Sequence, residues 1–222
     1  FTTIAITSHR SWSPTSVSGL SVNYVHGGYR LRSPFREFED DAYTEACVDD
    51  LHQVFDMMTS GDVAAMIAEP IQGVGGFATP PDGFFGAMKK ELDNRDVLFI
   101  SDEVQTGWGR TGDHFWGYQA HGITPDILTF AKGVGNGLAL GGMVASAELM
   151  DSLPGNSMVP RCSACNSFVI NENWYTSFNY IFGFVSVCIN SCFRKNVSEK
   201  YCWIRYCRNG SLHMLDSGLK IY

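Results

Sequence analysis

Val97-Leu98-Phe99-Ile100-Ser101-Asp102-Glu103 is an apolar run that stops abruptly at two carboxylates, and the chain repeats the device twice. Val63-Ala64-Ala65-Met66-Ile67-Ala68 stops at Glu69-Pro70, and Ile127-Leu128-Thr129-Phe130-Ala131 stops at Lys132-Gly133. Short continuous apolar runs bounded by turn signals predict buried strands, the pattern of a parallel sheet. The segments between them carry the helical period instead. From Asp41 onward, Cys47, Leu51, Val54, Phe55 and Met58 form one apolar stripe that ends at Ser60-Gly61-Asp62. Pro80-Pro81-Asp82 then opens a second helix, with Phe84, Phe85, Met88 and Leu92 on its inner face. Leu140 to Ser146 predicts a fourth strand leading into a short helix from Ala147 to Leu153, and Phe1 to Thr7 alternates as a strand would. Strands alternating with amphipathic helices place the chain in the α/β class, a mostly parallel sheet flanked by helices.

The chemistry collects where the strands end. In an open α/β sheet ligands bind beyond the carboxyl ends of the strands, and three of the predicted strands deliver Glu69, Asp102 and Lys132 to that edge. A lysine directly after a buried strand is a nucleophile in waiting, because partial desolvation favours its neutral amine. An aspartate on the neighbouring strand can hold a heterocyclic nitrogen protonated. Pyridoxal phosphate is the cofactor that uses both together, although an aldolase, a thioesterase or a plain ion pair also remains compatible with these residues alone.

Composition narrows the field. The chain has 222 residues, 45% of them apolar, and a net charge of -7, which argues against a nucleic-acid partner. The average hides a break near Met158. Residues 1–157 hold 20 acidic and 9 basic residues and 20 of the 23 glycines; residues 158–222 hold 3 acidic and 7 basic residues and six of the seven cysteines. Two kinds of sequence meet there. The Cys162–Cys165 pair suggests a metal, but the spacing to Cys188, Cys192, Cys202 and Cys207 fits no regular ligand set, and no metal is expected. Phe178 to Ile189 is too short and interrupted for a membrane span. Nor do His9, His26, His52, His114 and His121 have metal-ligand spacing, so surface or cap positions are expected for them.

The exact strings go further. Ile67-Ala68-Glu69-Pro70-Ile71-Gln72-Gly73, Ser101-Asp102-Glu103-Val104-Gln105-Thr106-Gly107, Gly109-Arg110-Thr111-Gly112, Pro125-Asp126 and Ala131-Lys132-Gly133 closely resemble the class III aminotransferases, with 30 residues from Asp102 to Lys132. These are fold type I enzymes, among them ω-amino-acid, ornithine and alanine–glyoxylate transaminases. The resemblance runs from about Phe1 to Ser157. It implies that residues 1–157 are part of a large domain that binds pyridoxal 5'-phosphate, and that 158–222 form an unrelated cysteine-rich tail. Lys132 would form the Schiff base and move the substrate proton, and Asp102 would pair with the ring nitrogen. Gln105 would bond the phenolic oxygen, Val104 would pack on the ring face, and Glu69 would line the substrate pocket.

The resemblance also implies an amino donor (an amino acid or ω-amine), a 2-oxo acid acceptor, a homodimer, and a cytoplasmic or mitochondrial location with no membrane or nucleic-acid partner. Arg30, Arg32 and Arg110 are expected to be solvated or to brace loops, and Gly133, Gly135 and Gly137 to make turns behind Lys132. Starting at Phe1, the chain reads as part of a longer polypeptide. The family's phosphate-holding turn and ring-stacking aromatic would lie upstream, and a Thr-Phe-Gly-Gly-Asn-Pro-like segment is replaced by Asn156-Ser157-Met158-Val159-Pro160-Arg161. Two alternatives stay open: another fold type I enzyme (lyase, decarboxylase or racemase), or a chain with the residues of the site and no catalysis.

Overall fold

A computed structural model describes residues 6–7, 20–74, 76–136, 140–151 and 167–171. In chain order the main elements are α1 (Asp40–Met58), β1 (Ala65–Ala68), α2 (Phe84–Asp93), β2 (Leu98–Asp102), β3 (Ile127–Phe130), β4 (Leu140–Ala145), α3 (Ala147–Asp151) and β5 (Ser167–Asn171). The five strands form one sheet in the order β1-β2-β3-β4-β5. β1, β2 and β3 run parallel, with Ala68 beside Ser101 and Asp102 beside Thr129. β4 and β5 are added antiparallel. β5 lies beyond Ser157, the domain limit read from the sequence. Of the strand expected over Phe1–Thr7 only Ile6 and Thr7 are described, and neither is in a strand: Ile6 has helical backbone. The cysteines of the tail fall outside the described residues.

The local chemistry explains each element. α1 opens on Asp40 and Asp41, whose charges favour a helix N-terminus. It buries Tyr43, Cys47, Leu51 and Val54, a stripe at helical spacing. Tyr43 lies one turn ahead of the stripe expected from the sequence. Met58 departs from that expectation: it is 62% exposed, at the residue where the helix ends. α2 follows Gly83, whose φ of 78° suits a residue without Cβ, and buries Phe84, Phe85, Met88 and Leu92 as expected.

Those two stripes close a core with Val97 and Phe99 on one face of β1 and β2. Ring contacts at 5.3 Å (Phe84–Phe85) and 5.7 Å (Phe85–Phe99) fill it. The other face of the sheet packs Ile100, Ile127, Met143 and Ala145 against Leu149 and Met150 of α3. β3 is buried at all four residues, as a strand with partners on both sides should be. β1 is only half-buried, since it is an edge strand of the described sheet.

Asp126 accounts for one of the strings. Its carboxylate accepts the Phe99 N–H at 2.7 Å while its own N–H donates to the Phe99 carbonyl at 3.0 Å, pinning the start of β3 to β2. That clamp sets the register that brings the ends of the two strands together. Among the described residues no helix is long and apolar enough to cross a membrane, and no cluster of His, Cys, Asp and Glu could hold a metal ion.

Candidate active site

Because β1, β2 and β3 are parallel, their carboxyl ends open on one edge, and Glu69, Asp102 and Lys132 follow or finish them there. The Lys132 amine donates a short hydrogen bond to Oε1 of Gln105, so the two residues carried by different loops meet. Lys132 itself has a φ of 52°, in the left-handed region where a side chain is strained, and it begins a short 3-10 helix, Lys132–Gly135. Strain of this kind persists where the surroundings over-determine a position and clusters at functional sites. Gly135 is buried in that turn, in line with a turn role behind the lysine.

Asp102 is half-buried, and among the described residues the bond to its carboxylate comes from the Val104 N–H, to Oδ1 at 3.1 Å. Burial pushes the carboxyl up to about 7; the Val104 bond opposes this, the carboxylates of Glu69 and Glu103 add to it, and the Lys132 cation offsets part of it. Such a carboxylate gains most from a cationic N–H partner. Glu69 Oε2 accepts the Gly73 N–H at 3.0 Å and so closes the turn behind β1. At Gly73 a Cβ would come within 2.9 Å of Cγ of Gln105; only glycine lets that side chain lie where it does. Glu69, Gln105, Lys132 and Asp102 are thereby linked through two loops at one edge. Val104 is half-buried beside them.

Several residues of consequence were not singled out from the sequence. Glu103 is fully buried. Alternation along a strand offers the signal that could have found it, because successive side chains point to opposite faces and Glu103 must turn inward if Asp102 turns to the site. Trp108, with a φ of 67°, packs edge-on against Phe115, Trp116 and Phe130 at 5.1–5.5 Å. It also reaches the turn at Gly133, where a Cβ would lie 4.0 Å from it. Thr129, paired with Asp102 across the sheet, is 1% exposed, and its hydroxyl has no hydrogen-bond partner among the described residues.

Other candidates make different contacts. Arg30 pairs with Asp40, donates to the Arg36 carbonyl at 3.2 Å and lies 5.6 Å over the Tyr43 ring, so it braces the chain ahead of α1. Arg32 lies 5.8 Å over Tyr29, and Arg110 is exposed. His121 sits against Phe85 at 4.9 Å; burial holds its pKa below the usual value, against a bond to the Pro70 backbone.

A pyridinium-bearing cofactor fits this donor set: an amine for its carbonyl, a carboxylate for its ring nitrogen, an amide for its phenolic oxygen, and a glycine that keeps the space beside that amide open. Comparison with known proteins points the same way. Residues 3–168 match the family model described as aminotransferase class-III. A mitochondrial alanine–glyoxylate aminotransferase 2 homolog of Arabidopsis thaliana is 45% identical over 100 residues, covering 45% of this chain and 21% of the relative. A leucine/methionine racemase of Thermococcus litoralis is 41% identical over 134 residues, covering 60% of this chain and 30% of the relative. The solved (S)-enantioselective omega-transaminase of Thermomicrobium roseum superposes with a TM-score of 0.61 at 28% identity, covering 81% of this chain and 38% of that one. The chain therefore spans less than a third of the length of the curated relatives it matches.

Proposed function

Since the chain belongs to the class III aminotransferase family, we propose that it supplies the catalytic edge of a transaminase that moves an amino group from an amino acid or ω-amine to a 2-oxo acid. The observation that carries this is the meeting of Lys132 with Gln105 beside the raised carboxyl of Asp102. The family's cofactor is pyridoxal 5'-phosphate. Bound here, it would supply an electron sink for the carbanion formed beside the substrate nitrogen.

Each residue then has a role of its own. Lys132 would hold the cofactor by its amine, and the free amine would carry the proton from the substrate α-carbon. Its hydrogen bond to Gln105 holds the amine of this exposed residue at the strand edge. Asp102 would hold the ring N–H; with its carboxyl pushed up to about 7 by burial, a cationic partner would favour its ionised form, which in turn would keep that nitrogen protonated. With its Oε1 taken by Lys132, Gln105 would have its amide N–H free to hold the cofactor's phenolic oxygen. Val104 would bear on the ring face. Glu69, held by the Gly73 amide, places a carboxylate at the substrate side. Residues 1–157 form part of the large domain in this proposal, β5 adds an edge strand to its sheet, and the rest of residues 158–222 is a tail; the partner is a second copy of the full-length chain, and the location cytoplasmic or mitochondrial.

Racemisation has specific support as a second function, because the Thermococcus racemase shares 41% identity over 60% of the chain. The same lysine and aspartate serve both, and what differs is whether the amino group leaves. One experiment separates them. Incubate the protein and pyridoxal phosphate with L-alanine and a 2-oxo acid acceptor, and follow both the new amino acid and D-alanine. Reduction with borohydride and peptide mapping then locates the attachment. Transamination with the pyridoxyl group on Lys132 is expected; D-alanine without a new amino acid would favour the racemase, and a label on Lys89 or Lys90 would remove Lys132 from its role.

A further inference from the structure

The carboxylate of Glu103 is surrounded on every described side by neutral donors. Its Oε1 accepts from the Tyr118 N–H at 2.7 Å and from the Ser101 hydroxyl at 3.1 Å. Its Oε2 accepts from the Gly117 N–H at 2.7 Å and from the Thr106 hydroxyl in a short bond. The backbone of the same residue is tied as well: its N–H donates to the Thr129 carbonyl at 2.8 Å, and its carbonyl accepts from Gly107 at 2.9 Å. Charge buried away from a cation is costly unless its hydrogen-bond capacity is met. Here all four strong acceptor directions are used by groups that do not titrate.

The enclosure is close-packed. A Cβ on Gly117 would fall 2.6 Å from Cβ of Thr106 and 3.0 Å from Oε2 of Glu103, and one on Gly107 would fall 2.6 Å from the Trp116 ring. Two glycines therefore let the backbone press directly on the carboxylate and on its neighbours. The donors come from β2 (Ser101), from the turn after it (Thr106) and from the 3-10 helix Gly117–His121. Between them runs the loop that carries Val104, Gln105 and Trp108.

We propose that Glu103 is the positioning residue of this site: its carboxylate gathers Ser101, Thr106, Gly117 and Tyr118 so that Gln105 meets the Lys132 amine. It touches neither substrate nor cofactor. It acts through Gln105, two residues on, and its effect on the site should pass through that side chain. The inference rests on the assignment of Gln105 and Lys132 to cofactor binding made above. Replacing Glu103 by glutamine tests it sharply, because the new NH2 group must face one of the two backbone N–H groups, donor against donor.

The experiment is a double-mutant cycle on the full chain, with pyridoxal 5'-phosphate as the probe. Borohydride trapping and peptide mapping give the cofactor concentration that half-saturates labelling of Lys132, with Lys89 and Lys90 as internal controls. Glu103→Gln and Gln105→Ala should each raise that concentration about fivefold, the loss of one hydrogen bond. In the Gln105→Ala background, Glu103→Gln should add less than about twofold while still lowering the unfolding midpoint. Equal effects in both backgrounds, or no effect of Glu103→Gln in either, would overturn the proposal and leave Glu103 a purely structural residue. If Gln105→Ala alone changes nothing, the assignment of Gln105 fails first and takes the inference with it. Should Glu103→Gln lose the circular dichroism of the parent, Thr106→Val removes one arm without touching the charge and is put through the same cycle under the same criteria.

Discussion

Two regions of this molecule reach the same depth of burial by opposite means. Between α1, α2 and the sheet, Tyr43, Cys47, Met88 and Leu92 are 0% exposed, and what holds them is apolar area. Around residues 103–118, Glu103 is also 0% exposed, and what holds it is four directed hydrogen bonds. Ionisable groups fare differently in the two. In the helical layer burial pushes the Cys47 thiol up to about 11, against a bond from Tyr43, which takes it out of reactive chemistry. At the strand edge burial brings the Asp102 carboxyl only to about 7, where a cationic partner can ionise it. An apolar layer gives stability and little geometry; a polar enclosure fixes the direction in which each side chain points, and a site needs that.

The comparison predicts that the helical layer answers to volume. Met88→Ala deletes a fully buried side chain from between α2 and β2, and a loss of about 2–5 kcal/mol is expected from urea unfolding. A loss under about 1 kcal/mol would mean the layer collapses around the gap and is not close-packed.

The strand edge should answer to charge instead. Asp102→Asn keeps the shape and removes the anion, and turnover of the cofactor-loaded full-length enzyme should fall about 100-fold, a typical cost for removing one electrostatic stabiliser. The same variant reports through pH. The folded carboxyl titrates at about 7 and the unfolded one near about 3.9, so between those values the folded state binds more protons than the unfolded state. Stability from this group is then greatest at low pH and is lost as pH rises from about 4 to about 7. Urea midpoints measured across that window should show a falling component in the parent that is absent in Asp102→Asn; parallel profiles would place the raised carboxyl elsewhere.

The smallest effect is expected at the end of α1. Met58 belongs to the apolar stripe by its spacing, but it is 62% exposed, and Met58→Ala should change stability by less than about 0.5 kcal/mol. A cost near that of Met88→Ala would show that the last turn of α1 is covered after all.

Much of the fold was legible because each element carries its own period. The run Ile127 to Phe130 reads as a buried strand and is one; Phe84, Phe85, Met88 and Leu92 read as an inner helical face and are one. Periodicity reports which side of an element is apolar, and where the chain stays in register with its core that suffices. It failed at Met58, where the spacing continued and the neighbouring surface did not. It was also silent on β4 and β5 joining antiparallel, since strand direction follows from connections and edges rather than from side-chain type.

The site divides in the same way. By itself the sequence determined that Glu69, Asp102 and Lys132 would reach one edge, since parallel strands present their carboxyl ends together and each of these residues stands at the end of an apolar run. Only the tertiary structure decided that Gln105 meets Lys132, that Gly73 must lack a side chain beneath it, and that Glu103 turns inward to be met by Gly117 and Tyr118 from fourteen and fifteen positions along the chain. Those contacts join residues far apart in sequence through bonds whose strength depends on ångströms and angles, and neither quantity is written in the order of the amino acids.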